Sequence, residues 1–212
     1  IINHGYLAVD FFFMLSGFVI GYAYDDRWNR MSTGTFFKRR LIRLQPMVIM
    51  GSIVGAALFW FQDAPCYPAM EGVSAGAVLL VMLLGCTLLP LPLKWDVRGW
   101  MEMHPLNGPA WSLYYEYIGN ILYALFIRKF SKTALTVLVA IAACFTVHRC
   151  LTAPAGDIVG GWALNWEQQY VGLVRLMYPF FGGLLLSRLG WLIRPRKNAF
   201  GWCSLMIIAV LS

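Results

Sequence analysis

The chain has 212 residues, of which 59% are hydrophobic and only 13% charged, with mean hydropathy +0.63 and a net charge of +7. Soluble domains carry roughly a quarter charged residues, and a core of this size could not hide so much apolar surface from water. Composition therefore excludes an ordinary soluble domain and calls for a lipid-covered one. The basic balance, with pI near 9.3, does not point to nucleic acid, because the cations cluster between apolar runs, as in membrane flanks retained in the cytoplasm.

In chain order, apolar runs predict seven membrane segments: 6–24, 44–61, 73–91, 110–127, 133–150, 170–187 and 199–212. Lipid offers no hydrogen-bond partners to the backbone, so each run should be a helix. The expected fold is an all-α polytopic helix bundle of six to seven segments. The chain starts at Ile1, and its last run of 13 residues is short of the ~20 needed to span a bilayer. It reads as a single membrane domain, 1–212, truncated at both ends.

The connecting segments alternate in character. A basic one covers 25–43, with Arg27, Arg30, Lys38, Arg39, Arg40 and Arg43. An acidic one holds Asp63 and Glu71, and a mixed one covers 92–109. A short basic turn follows with Arg128, Lys129 and Lys132, then a Gly/Trp-rich loop at 151–169. The last is basic, with Arg188, Arg194, Arg196 and Lys197. The basic clusters should share the cytoplasmic side, yet three segments separate the first from the second. One of 44–61, 73–91 and 110–127 then fails to cross fully, or 92–109 dips into the membrane, or the rule does not hold for this chain. Pro90, Pro92, Pro105 and Pro109 make 92–116 the irregular stretch, and irregular backbone at depth lines cavities.

Cys66, Cys86, Cys144, Cys150 and Cys203 show no CxxC and no metal-like spacing, so they are assigned to packing and no metal site is expected. His4 and His148 stand alone before the first span and near the end of the fifth.

Three charges fall inside the spans, where insertion is costly and function or a buried pair is the usual reason: Asp10, Glu116 and Arg175. They could pair with one another to hold the bundle, or line one polar cavity together. Arg40 and Arg43, three residues apart, share a helical face and offer planar forks suited to phosphate; a plain cytoplasmic anchor would use the same residues. Trp111, Ser112 and Glu116 combine an indole donor, a hydroxyl and a carboxylate at the mouth of a span, where an aromatic belt is the simpler reading.

Together these pieces resemble the acyltransferase-3 family. The stretch 5–18, with Val9-Asp10-Phe11-Phe12-Phe13 and Ser16-Gly17-Phe18, resembles its GVDxFFxxSGF signature, with Ala8 where Gly is commoner. Arg40-Leu41-Ile42-Arg43-Leu44-Gln45-Pro46 resembles its RxxR element, Trp111-Ser112-Leu113 with Glu116 its W-S-L-x-x-E, and Arg175 with Pro179-Phe180 and Gly183 its R…P-F-x-x-G. The resemblance implies transfer of an acyl group, often acetyl, from acyl-CoA to a hydroxyl of a carbohydrate or exported glycan. It implies no permanently bound cofactor. The partners it implies are acyl-CoA, a glycan acceptor and the bilayer, in a bacterial inner membrane. The family's histidine lies on a helix before the GVDxFF element, so this chain is expected to lack it; His4 is too close to Asp10 to serve. The implied roles are Asp10 and Glu116 as catalytic carboxylates that orient the histidine, and Arg40 and Arg43 as donor-binding groups. Ser16, Trp111, Ser112 and Arg175 would line the acceptor path. A multi-pass transporter or flippase would also carry intramembrane charges, and a scaffold would share the composition.

Overall fold

A computed structural model describes residues 5–62, 73–154, 156–190 and 198–211. His4, Asp63, Cys66, Glu71, Arg194, Arg196 and Lys197 lie outside the described residues. All regular structure among the described residues is helical: α1 (Leu7–Tyr24), α2 (Thr33–Phe61), α3 (Ala75–Gly85), α4 (Ala110–Leu125), α5 (Lys132–Thr152), α6 (Trp166–Leu189) and α7 (Ala199–Leu211), with short 3₁₀ turns at Asp25–Arg30, Leu93–Trp95 and Ile127–Lys129. Every expected segment has its helix. Among the described residues, four helical stretches are long and apolar enough to cross a membrane: Leu7–Arg30, Thr33–Phe61, Lys132–Thr152 and Trp166–Leu189.

Local chemistry sets the helix starts. Ser32, Ser74 and Ser131 each accept from the backbone N–H three residues on, at 3.2, 3.2 and 3.1 Å, as N-caps do. Ser32 explains the largest boundary difference from expectation. The apolar run begins at 44, but a cap at Ser32 followed by helix-favouring Lys and Arg residues starts α2 at Thr33, placing Lys38, Arg39, Arg40 and Arg43 on helix instead of loop. Pro46 lies within α2 without ending it. Conversely, α3 occupies only 11 residues of the expected 73–91. At 1.5 Å per residue it is about 16 Å long, roughly half the bilayer core.

The described residues gather into two compact units, each discontinuous in sequence. One draws on Ile1–Arg30, Leu125–Val159 and Val174–Ser212; the other on Met31–Ala124 and Gly160–Leu173.

In the first unit α1 and α6 cross in backbone contact. A Cβ on Gly17 would fall 1.8 Å from the Phe180 carbonyl oxygen, and one on Gly183 1.9 Å from that of Met14. Gly17 and Gly21 are four apart on one face, the small-residue spacing that lets membrane helices approach without a hydrophobic driving force. Phe13, Ile20, Phe180, Phe181 and Leu184 are buried around this crossing. At one end of the unit Arg188 binds Asp25 (Nε to Oδ2, 2.7 Å) and donates to the carbonyl oxygens of Phe130 (2.9 Å) and Arg128 (3.3 Å). Arg128 in turn stacks on Trp28 at 4.2 Å. The turn after α1, the turn before α5 and the end of α6 therefore meet at one level.

In the second unit α2 packs on α3 and on the segment 86–109, around Ala56, Phe59, Val78, Val81, Leu91 and Leu106. Gln45 donates to the Cys86 carbonyl oxygen, tying α2 to the end of α3. Tyr115 of α4 lies against Gly172, where any Cβ would fall 2.2 Å from the ring.

Candidate functional site

The three intramembrane charges are each in an ion pair, and the fourth partner is Arg40. In the first unit Arg175 grips Asp10 through two bonds, Nε to Oδ1 at 3.2 Å and Nη2 to Oδ2 at 2.8 Å. The same Nη2 donates to the Tyr6 carbonyl oxygen at 2.7 Å, and the guanidinium sits 5.9 Å from the Tyr6 ring centre. Arg175 is 2% exposed. A fork this well matched is the geometry in which a buried carboxylate and guanidinium satisfy each other. The pairing reading of these charges thus holds for Asp10 and Arg175.

In the second unit Arg40 is fully buried and bonds Glu116 through Nη2. The 3.6-residue period separates it from Arg43, which is exposed on α2 beside exposed Lys38 and Arg39. The two arginines of the RxxR element thus do different work: one is an internal counter-ion, the other a surface cation. One turn after Glu116, at the i+4 position, Asn120 is fully buried, and among the described residues neither of its side-chain polar atoms has a hydrogen-bond partner. The sequence passes Asn120 over, although an amide inside an apolar run was a visible signal.

Of the residues expected to line the acceptor path, Ser16 is buried on α1 near the Gly17 crossing. Trp111 is buried rather than at a rim. It packs edge-to-face on Tyr115 at 6.0 Å and against Gly161, whose φ of +107° suits only glycine. Ser112 caps locally, donating to the Pro109 carbonyl oxygen at 2.9 Å.

The irregular stretch before α4 holds the histidine that the sequence reading passes over. His104 is 2% exposed, and its Nε2 lies 3.2 Å from the Leu88 carbonyl oxygen. A carbonyl can only accept, so Nε2 carries the proton and Nδ1 is left as a base; among the described residues Nδ1 has no hydrogen-bond partner. Leu88 adopts φ +61°, a costly conformation for a non-glycine residue that brings its carbonyl to the ring. Burial lowers the pKa of His104, partly offset by that bond, so the ring is neutral. Cys86, Cys144, Cys150 and Cys203 are free thiols.

Beside this stretch lies a cavity of about 430 Å³. Its walls are the C-terminal half of α2 (Gly51, Val54, Gly55, Leu58, Phe59), the C-cap Gln62 and the segment carrying Arg98 and Asn107. Arg98 is fixed by three contacts: Glu102 at 3.6 Å, the Pro105 carbonyl oxygen at 3.1 Å and a stack on Trp100 at 4.2 Å. A second cavity, about 610 Å³, lies at the basic end of the first unit between Asp25, Asp26, Arg128, Lys132 and Arg188.

Comparison with known proteins adds the family. Among curated relatives, "Protein 2 in picA locus" of Rhizobium radiobacter is 32% identical over 126 residues, covering 56% of this chain and 64% of that protein. "Acyltransferase MdmB" of Streptomyces mycarofaciens is 27% identical over 128 residues, 60% of this chain and 30% of that protein. The chain thus matches less than two thirds of either relative's length. No solved structure matches it. The profile of the acyltransferase-3 family, described as an acyltransferase domain, matches residues 2–212. With the match running over nearly every residue and the family's charged positions paired inside apolar helices, the chain belongs to the acyltransferase-3 family.

Proposed function

We propose that the protein is a membrane O-acyltransferase that moves an acyl group, acetyl in the simplest case, from acyl-CoA to a hydroxyl of a sugar or exported glycan. The observation that carries this reading is the family match over residues 2–212. The layout of α2 agrees with it: Lys38, Arg39 and Arg43 are exposed near one end and the polar cavity lies at the other. From Arg43 to Phe61 the helix rises about 27 Å, close to the ~30 Å of a bilayer core.

The chemistry asks for three things. Phosphates of the donor need cations at the cytoplasmic face of a bacterial inner membrane; Arg43 with Lys38 and Arg39 supplies them, and fixing the donor positions the thioester. The acceptor hydroxyl must lose its proton as its oxygen attacks the thioester carbonyl and the coenzyme A thiolate leaves. A histidine on a helix before Asp10, as the family resemblance implies, is the base for that step. Such a base needs a carboxylate to hold its tautomer. A carboxylate has about four acceptor sites; Arg175 takes two on Asp10, which leaves room for an imidazole N–H. Arg40 holds Glu116 in place in the same manner.

The test is the full-length protein in detergent with radiolabelled acetyl-CoA and an alkyl glucoside. Label moving to the glucoside with release of coenzyme A is expected. If the substrate crosses a bilayer without acyl-CoA being consumed, the protein is a transporter and the reading is overturned.

A further inference from the structure

The cavity of about 610 Å³ at the basic end of the first unit plays no part in the acyl-transfer reading. Its walls come from the end of α1 and the turn after it, the turn before α5 with that helix's first residue, and the end of α6. All three helices lie in stretches long and apolar enough to cross a membrane, so a cavity where their ends meet sits at head-group depth. Tyr22 and Phe130, both in its wall and both exposed, are the aromatics that depth favours. From Lys132 at the edge of the cavity, α5 carries Val137, Ile141 and Phe145 on one face, each about half exposed. An apolar stripe therefore leads from the cavity into the hydrocarbon.

The charges in the wall divide into a committed pair and an open set. Arg188 and Asp25 satisfy each other, and the other guanidinium bonds of Arg188 go to carbonyl oxygens of Phe130 and Arg128. That leaves Arg128, Lys132 and Asp26, and among the described residues none of these three has an ion-pair partner. Arg128 rests on the Trp28 ring at 4.2 Å, and its buried Nε has no hydrogen-bond partner among the described residues. A guanidinium with a donor to spare, beside an ammonium, suits phosphate oxygens. Ser131 adds a hydroxyl whose oxygen accepts from the Ala134 N–H at 3.1 Å, leaving its own proton to donate. Asp26 would repel a plain anion and calls for a cation that can donate to it. A ligand with a phosphate and a primary ammonium close together answers both signs. The walls are also fixed: a Cβ on Gly21 would fall 2.9 Å from the Ser187 Oγ, so α1 and α6 are held close beside the cavity.

We propose that this cavity binds the head group of an aminophospholipid, with its phosphate on Arg128, Lys132 and the Ser131 hydroxyl, its ammonium on Asp26, and its acyl chains along the exposed face of α5. The lipid is a resident ligand that ties the ends of α1, α5 and α6 together, and it is not consumed. The site is separate from the Asp10–Arg175 pair, since α1 rises about 18 Å between Asp10 and Tyr22. It requires a bilayer but no acyl transfer, and so stands independently of the proposed function.

The test is native mass spectrometry of the full-length protein, stripped of lipid in detergent and titrated with dioleoyl phosphatidylethanolamine, phosphatidylglycerol or phosphatidylcholine. A single tightly held lipid is expected, with phosphatidylethanolamine bound about fivefold or more tighter than the other two, because only its ammonium can donate hydrogen bonds to Asp26. Arg128→Gln and Lys132→Gln should weaken all three lipids by a similar factor. Asp26→Asn should instead erase the preference and leave phosphatidylglycerol bound at least as tightly as before. Melting curves without added lipid check that each variant folds. No preference in wild type, a preference that survives Asp26→Asn, or binding insensitive to Arg128→Gln and Lys132→Gln overturns the proposal and leaves the cations as a plain membrane flank. Competition by glycerophosphoethanolamine as strong as by the whole lipid overturns the lipid part. Displacement of the lipid by acyl-CoA assigns the cavity to the donor and overturns the proposal too. Since the readout is bound lipid, its failure leaves the enzyme reading standing, and loss of acyl transfer leaves this site standing.

Discussion

Arg40 and Arg43 stand three residues apart on α2 and meet opposite environments, so the same substitution should read out differently at each. Arg43 is exposed. Arg43→Ala should leave the melting temperature within error and weaken acyl-CoA binding about tenfold or more, since a hydrogen bond to a charged group contributes about 1.5–3 kcal/mol. Titration of the detergent-solubilised protein with acyl-CoA checks this. Arg40→Ala would strand Glu116 beside buried Asn120 and should destabilise by about 3–5 kcal/mol, the cost of breaking a buried pair. If Arg40→Ala melts like wild type, the counter-ion role is wrong. His104 gives a pH signature at the same scale. Its folded-state pKa lies below the ordinary 6.5 because burial disfavours the imidazolium. Below about pH 6.5 the unfolded chain therefore binds a proton that the folded chain refuses, and stability falls as pH drops from 7. Glu102, whose pKa burial raises, works in the opposite direction in the lower carboxylate range. Melting curves of wild type and His104→Gln between about pH 5 and 7.5 should differ in slope, the variant being flatter; parallel curves would rule the imidazole out.

The crossing of α1 and α6 shows what an element's surface can demand. Lipid is as apolar as leucine, so helices in it associate through close packing, and here packing means backbone against backbone. Gly17→Leu should force the helices apart, because the obstacle is the Phe180 carbonyl and not a side chain that can swing away. Overpacking commonly costs about 1–3 kcal/mol, and backbone contact puts this site at or beyond the upper end. Gly201→Leu is the control: that glycine is exposed on α7 with no atom within 4 Å of its Cβ position. Equal melting temperatures for the two variants would mean that α1 and α6 do not cross here.

At the scale of the whole molecule, the length of α3 gives an expectation for the path through the membrane. In the sequence reading, three crossings between the first and second basic clusters put them on opposite faces. With α3 only 11 residues long, too short to cross alone, the expectation is that α2 leaves one face and the chain regains it by α4. The ion pair of Arg188 with Asp25 and its bonds to Phe130 and Arg128 join the turns at one end of the first unit, and the positive-inside rule leads to the expectation that they lie on the cytoplasmic side. In a background without native cysteines, Arg30→Cys and Lys132→Cys should react with an impermeant maleimide from the same face, and Ala153→Cys, beyond α5, from the other. Labelling of positions 30 and 132 from opposite faces would restore a full crossing at α3.

Composition and the spacing of apolar runs determined by themselves that this is a helical membrane protein, because backbone amides in lipid have no partner but their own helix. Four short motifs in order placed it in its family. What the sequence could not say was which charge answers which, since Arg175 and Asp10 lie 165 residues apart and Arg40 and Glu116 lie 76 apart. The short α3, the buried base of His104 and the pairing of Arg98 with Glu102 were likewise invisible. Each depends on carbonyls and side chains that only tertiary packing brings within 3 or 4 Å, and no periodicity in one segment records its neighbour in another.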